Sequence, residues 1–209
     1  MALGCSHGVF IMPKQEYDPS AEAGQNLFYG IGIRKNYRKA FPLLLQAASE
    51  GHIHCMNLVG FCHDKGLGVP KDIGQANSWY EKAAEHGHRI ALCNLAINCY
   101  EGRGIKTDKA KALSLYEQSA EQGDLWAACN LGVMLLDGDG VEKNEADGIW
   151  WLRFAARHGE CKAQYNLGRA YRYGAGVEKN KRWARLWFGK AAVQGHTMAI
   201  ESLAELVAA

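Results

Sequence analysis

The side chains best placed to hold a metal crowd together in "LLDGDGVEKNEADG", residues Leu135 to Gly148, where Asp137, Asp139, Glu142, Asn144, Glu145 and Asp147 surround Gly138 and Gly140. Oxygen-bearing side chains gathered at a glycine turn are the chemistry of a calcium loop. The EF-hand template D-x-[DN]-x-[DN]-G-x5-E places oxygen ligands at positions 1, 3 and 5, a glycine at 6 and a bidentate Glu at 12. Counted from Asp137, position 5 is Val141, position 6 is Glu142 and position 12 is Gly148. The template fails at the turn and at the bidentate ligand, so calcium is not expected here.

Three further chemistries can be tested in the same way. "HIHCMNLVGFCHDKG" brings the zinc-ligand types His52, His54, Cys55, Cys62 and His63 together, yet it contains no C-x2-C or H-x3-H pair. "GRGIKTD" puts glycines near Lys106 and Thr107, but a phosphate loop needs glycine directly before the lysine, where Ile105 stands. Neither a G-x-S-x-G elbow nor an S-x-x-K motif supports a serine hydrolase. The expectation is a chain with no catalytic residues, no metal and no cofactor.

The glycine turn has a different meaning. Stepping 36 residues at a time gives "YGIGIRKN" at Tyr29, "KGLGVPKD" at Lys65, "EGRGIKTD" at Glu101, "DGDGVEKN" at Asp137 and "YGAGVEKN" at Tyr173. What recurs is G-x-G followed by Val or Ile, with Asn or Asp four residues after the second glycine; the acidic residues do not recur. A fixed period of this length marks a solenoid of helical hairpins. In each unit Asn36, Asp72, Asp108, Asn144 or Asn180 precedes a helical apolar pattern and is expected to cap a helix B. Its expected buried stripe runs through Ala40, Ala76, Ala112, Gly148 and Ala184, then Leu43, Trp79, Leu115, Trp151 and Trp187, then Ala47, Ala83, Ser119, Ala155 and Ala191. Gly51, Gly87, Gly123, Gly159 and Gly195 close that helix. Helix A follows, with Cys55, Ala91, Ala127 and Ala163, then Val59, Leu95, Leu131 and Leu167, then Gly60, Ala96, Gly132 and Gly168. A mid-helix glycine costs roughly 1 kcal/mol against alanine, so its periodic return is expected to admit a bulky helix B side chain.

Half units at both ends, with Asp18-Pro19 starting the first and "TMAIESLAELVAA" forming the last, give six A helices and five B helices over residues 18–209. Residues 1–17 are read as a flexible extension, most of which translation from Met12 would remove. It lacks the basic start and long apolar core of a signal peptide, which points to a cytoplasmic chain, with the periplasm as the second reading. Seven cysteines without an export signal are expected to be reduced. No run approaches the roughly 18 to 20 apolar residues of a membrane helix. Charge is uneven: Trp150 to Gly195 holds ten Lys/Arg and two Glu, whereas residues 1–149 hold fourteen Lys/Arg and eighteen Asp/Glu.

"ALCNLAINCYEGRGIKTDKAKALSLYEQSAEQG" and "AQYNLGRAYRYGAGVEKNKRWARLWFGKAAVQG" resemble Sel1-like repeats, relatives of the tetratricopeptide repeat, with the pattern A-x3-L-G-x2-Y-x2-G-x-G-V and then D, KA, WY, KAA and G. The resemblance implies an all-α, right-handed superhelix with the A helices lining its concave side, and a role as adaptor or scaffold. It also implies a test. Some secreted members pair a helix B cysteine with another eight residues later, but the equivalent pairs here are Ala48 and Met56, Ala84 and Leu92, Ala120 and Ala128, and Ala156 and Gln164. That removes support for export and for the penicillin-handling activity associated with those members.

On the A helices, Asn94, Asn130 and Asn166 form a ladder whose amides can donate and accept. Helical spacing adds Asn98 and Glu101, Met134 and Asp137, and Arg169 and Tyr173 to the same face, with Phe61, Cys62 and Lys65 in the earlier unit. The expected site therefore holds a protein or an extended peptide, and the ladder alternatively ties one repeat to the next. A basic, aromatic end from Trp150 onward, including Arg153, Arg157, Lys162, Arg172, Arg182 and Trp183, suits an acidic partner better than nucleic acid. A monomer is expected. A dedicated inhibitor or immunity protein for a toxin needs only the same rigid complementary surface.

Overall fold

The computed structural model describes residues 18–208; the expected extension lies outside the described residues. Among them are eleven helices and no strand: α1 Pro19–Tyr29, α2 Tyr37–Ser49, α3 Ile53–Lys65, α4 Ile73–Glu85, α5 Arg89–Glu101, α6 Lys109–Glu121, α7 Leu125–Asp137, α8 Glu145–Arg157, α9 Cys161–Tyr173, α10 Lys181–Val193 and α11 Thr197–Ala208. Odd-numbered helices carry the helix A register and even-numbered ones the helix B register. Each packs chiefly on the helices before and after it in the chain. The architecture is an all-α superhelix, as the period requires.

Local chemistry sets the helix boundaries. The side chains of Asn36, Asp72, Asp108, Asn144 and Asn180 each accept the backbone N–H three residues on, at 2.8–3.2 Å. Each such cap contributes about 1 kcal/mol. Asp18 accepts from Ser20 N at 2.7 Å and Pro19 occupies the first turn of α1. The A helices have caps of their own: His88 accepts from Ala91 N, Asp124 from Ala127 N and Glu160 from Lys162 N.

The helix A register is buried as expected, with Val59, Leu95, Leu131 and Leu167 at most 1% exposed. The helix B stripe needs a correction. The bulky residues that meet the mid-helix glycines are Leu44, Tyr80, Leu152 and Phe188, one position beyond the row first assigned. A Cβ on Gly60 would stand 2.7 Å from the Tyr80 ring, and one on Gly168 would stand 2.6 Å from the Phe188 ring. The neighbouring row is only partly buried: Leu115 and Trp187 are buried as expected, whereas Leu43, Trp79 and Trp151 are half-buried, and the Lys82 and Lys190 ammonium groups lie 4.2 and 4.6 Å from the centres of the Trp79 and Trp187 rings. Helical geometry allows either row, because both lie three or four residues from the buried alanines.

The second glycine of each turn seats one repeat on the one before it. Gly68 has φ +75°, and a side chain there would fall onto the Tyr37 carbonyl oxygen at the start of α2. Gly104 repeats the contact against Ile73, with a Cβ only 2.8 Å from the Ile73 side chain. Glycine is required twice over, by backbone conformation and by space.

Candidate functional site

The acidic turn that suggested calcium is occupied by the protein itself. Asp139 accepts from Lys109 Nζ and from the Tyr100 hydroxyl. These two donors hold its carboxyl below the usual carboxylate range, the lysine contributing most. The same bond, with burial, pushes the Tyr100 phenol up to about 12. Asn144 caps α8 and donates to Asp147, while Glu145 pairs with Lys143 at 2.6 Å.

The His/Cys group is likewise divided. His52 lies 2.9 Å from an Asp18 oxygen. Cys55 and Cys62 are core side chains, and His63 packs edge-on to Phe41. His54 joins a chain across three A helices: Tyr29 Oη is 3.0 Å from His54 Nε2, His54 Nδ1 is 3.2 Å from His88 Nε2, and His88 Nδ1 accepts from Ala91 N. Since His88 Nδ1 is an acceptor, the neutral ring donates from Nε2 and His54 accepts. Charging both rings would set two N–H groups face to face.

Burial lowers both imidazoles, and His54 and Arg89 help bring His88 down to about 4. A histidine held neutral contributes stability that is present above its unfolded value near 6.5 and is lost as pH falls toward its folded value. Denaturant unfolding should therefore give a lower stability at pH 4.5 than at pH 7.5. His88→Asn keeps a capping acceptor and removes the titration; it should shrink that difference by about 1–2 kcal/mol, discounted for partial exposure. An unchanged difference would mean that the chain does not hold His88 neutral.

The expected groove residues separate into two groups. Asn98 is 2% exposed and donates to Asn77 at 2.7 Å, so it joins α5 to α4 and is withdrawn from the surface. Asn94 donates to Asn57 at 3.4 Å, and Asn166 contacts Cys129 Sγ at 3.7 Å, each reaching the preceding A helix while staying partly exposed. The inter-repeat role of the ladder is thus present. Asp137, Arg169 and Tyr173 are exposed, with the Arg172 guanidinium 5.3 Å from the centre of the Tyr173 ring.

Glu101, Asn130, Met134 and Asn166 come together in one pocket of about 290 Å³. Its walls also contain Ile97, Tyr100, Tyr116, Trp126, Val133 and Lys162, of which only Lys162 had been named, as part of the basic end. The Lys162 ammonium lies 3.8 Å from the centre of the Trp126 ring. The pocket spans α5, α7 and α9, with Tyr116 of α6, and its lining mixes apolar Ile97, Val133 and Met134 with polar and charged side chains. It can hold part of another chain; among the described residues no group of three His, Cys, Asp or Glu could hold a metal ion.

The Sel1 repeat model matches five successive segments, residues 21–52, 53–88, 89–124, 127–160 and 161–196. The chain belongs to the Sel1 repeat family. Sel1 repeat proteins are generally protein-interaction scaffolds. Among solved structures, this chain is similar to a protective antigen of uropathogenic Escherichia coli, with 33% identity and a TM-score of 0.83 over 88% of this chain and 40% of that one. It is also similar to a Sel1 repeat protein from Oxalobacter formigenes, at 29% identity and TM-score 0.82, covering 88% of this chain and 73% of that one. An immunity protein from Pseudomonas aeruginosa shares the fold at 22% identity and TM-score 0.55, with 87% and 69% covered. No curated protein matches. The chain spans 40% of the length of the Escherichia coli antigen.

At one of the four positions equivalent to the paired cysteines of secreted Sel1 relatives an amide makes the link: Gln164 Nε2 donates to the Ala156 carbonyl at 3.1 Å. The six described cysteines are free thiols, and burial pushes those of Cys62, Cys93 and Cys129 up to about 12. All but the half-buried Cys161 act as small apolar core groups.

Proposed function

We propose that this Sel1 repeat protein is a non-catalytic adaptor that holds a protein or an extended peptide against its A helices, on the concave side of the superhelix. The observation that carries this reading is the pocket across α5, α7 and α9, where the apolar Ile97, Val133 and Met134, the Asn130 and Asn166 amides and two opposite charges converge. Amides can hold a peptide backbone without reading its side chains. Beyond the pocket, the cations from Arg153 onward favour a partner whose acidic part faces the C-terminal repeats. The adaptor works as a monomer in a reducing compartment, the cytoplasm, which the core packing of its free thiols supports.

A second reading, a dedicated inhibitor of a toxin, is supported by solenoids of similar fold that are immunity proteins. It uses the same surface and differs in having one tight partner. The test is affinity capture under reducing conditions from cells of the source organism, comparing wild type with Asn130→Ala/Asn166→Ala. The double variant should keep its helical circular dichroism and lose the captured protein. Capture at full strength by the variant would move the binding surface elsewhere, and nitrocefin turnover by the wild type would end the non-catalytic reading.

A further inference from the structure

The pocket also carries information about what enters it. Its volume of about 290 Å³ sits at the lower limit for small-molecule and cofactor sites, which begin at roughly 300 Å³, and suits one or two side chains. Ile97, Val133 and Met134 give it an apolar wall. The two charges on its rim lie on different helices and at different helix ends: Glu101 is the last residue of α5, and Lys162 is the second residue of α9. A segment crossing the A helices therefore meets a carboxylate on the α5 side and an ammonium on the α9 side.

The ammonium is the sharper of the two. Glu101 has a cation 3.9 Å away, Arg103. Lys162 has no ion pair with any described residue, and the nearby Glu160 carboxylate is engaged in capping α9. Lying over the Trp126 ring, Lys162 is held at the pocket mouth. That arrangement also disfavours nucleic acid here: the Trp126 face is covered by the lysine, and Glu101 would repel a phosphate.

We propose that the pocket takes one apolar side chain of an extended protein segment, and that Lys162 selects segments with a carboxylate beside that anchor. The proposal rests on the A-helix face being the binding surface. Charge at the rim discriminates between partners more than it adds affinity.

The experiment is an array of nine-residue peptides with a central Leu, Phe, Ala or Asp flanked by Glu, Gln or Lys, and one single-stranded oligonucleotide of nine bases. It is probed with the full chain as wild type, Lys162→Glu and Val133→Arg, each checked for unchanged helicity. Wild type should retain Leu or Phe peptides flanked by Glu about fivefold more than those flanked by Lys, which is the scale of one rim charge pair. Lys162→Glu should reverse that preference, and Val133→Arg should abolish retention of all peptides. If peptides bind, are lost with Val133→Arg and show no charge preference, the inference falls while the adaptor reading stands. If no peptide binds, if Val133→Arg changes nothing, or if the oligonucleotide is retained best, the binding face itself is wrong and the inference falls with it.

Discussion

Gly132→Val is expected to lower the stability of the protein by about 3 kcal/mol, the upper end of the usual cost of overpacking. A Cβ at Gly132 would lie 2.8 Å from Leu152 Cγ, 2.9 Å from the Gly148 carbonyl oxygen and 3.1 Å from Leu152 N. Two of those three atoms are backbone and cannot rotate away. Gly148 faces back into α7, where its own Cβ would meet the Gly132 carbonyl and Leu136 N at 2.8 Å. The α7–α8 crossing is therefore closed by two glycines and one leucine, and relief requires moving a helix. Urea unfolding with a shared slope would measure the loss. A variant within about 0.5 kcal/mol of wild type, an ordinary surface effect, would show that α7 and α8 do not approach this closely.

Phe188→Ala should cost about 3–5 kcal/mol, the range for deleting a large buried aromatic ring. Phe188 is fully buried, lies on Gly168 and forms a C-terminal cluster with Ala184, Ala191, Ala199 and Leu206. In a stack where each repeat is held by its neighbours, the loss should be concentrated at that end. Amide exchange should accelerate in α10 and α11 while α3 to α5 stay protected. Trp79→Ala, which removes a half-buried ring covered by Lys82, should cost less. A larger loss at Trp79 than at Phe188 would restore the stripe first inferred from the sequence.

That pair shows where reading the sequence reached its limit. The 36-residue period, the B-helix caps and the buried A-helix row were all legible, because caps and small residues have few alternative uses. The deep row of helix B was not, since Trp79-Tyr80, Trp151-Leu152 and Trp187-Phe188 each offer two large apolar neighbours. Size favours tryptophan; packing favours the side chain that fits over a glycine. The glycine announced a bulky partner on helix B, but which of two adjacent side chains stands directly opposite it is decided by the helix crossing. In the pocket, Asn130 and Asn166 stood out because they recur, whereas Trp126 did not. Its counterparts are His54, Ile90, Lys162 and Met198, a row with no shared chemistry. Asn98 was misplaced for a related reason: an amide on a helix face looks available until its partner, Asn77 on the adjoining helix, is known.

The seat of each turn on the preceding helix B bears on how such a gene can change. Gly68 against Tyr37 and Gly104 against Ile73 are the same junction, made at the same two places within the unit. An unequal crossover between two copies of the unit, in phase, would insert or remove 36 codons and leave every surviving junction of the same kind. Out of phase, it would set a side chain against the Tyr37 carbonyl and stop the stack at that point. The length of the A-helix face, the proposed binding surface, is thus inherited in steps of one A helix, and a longer partner could be met by duplication without any new inter-repeat contact being invented.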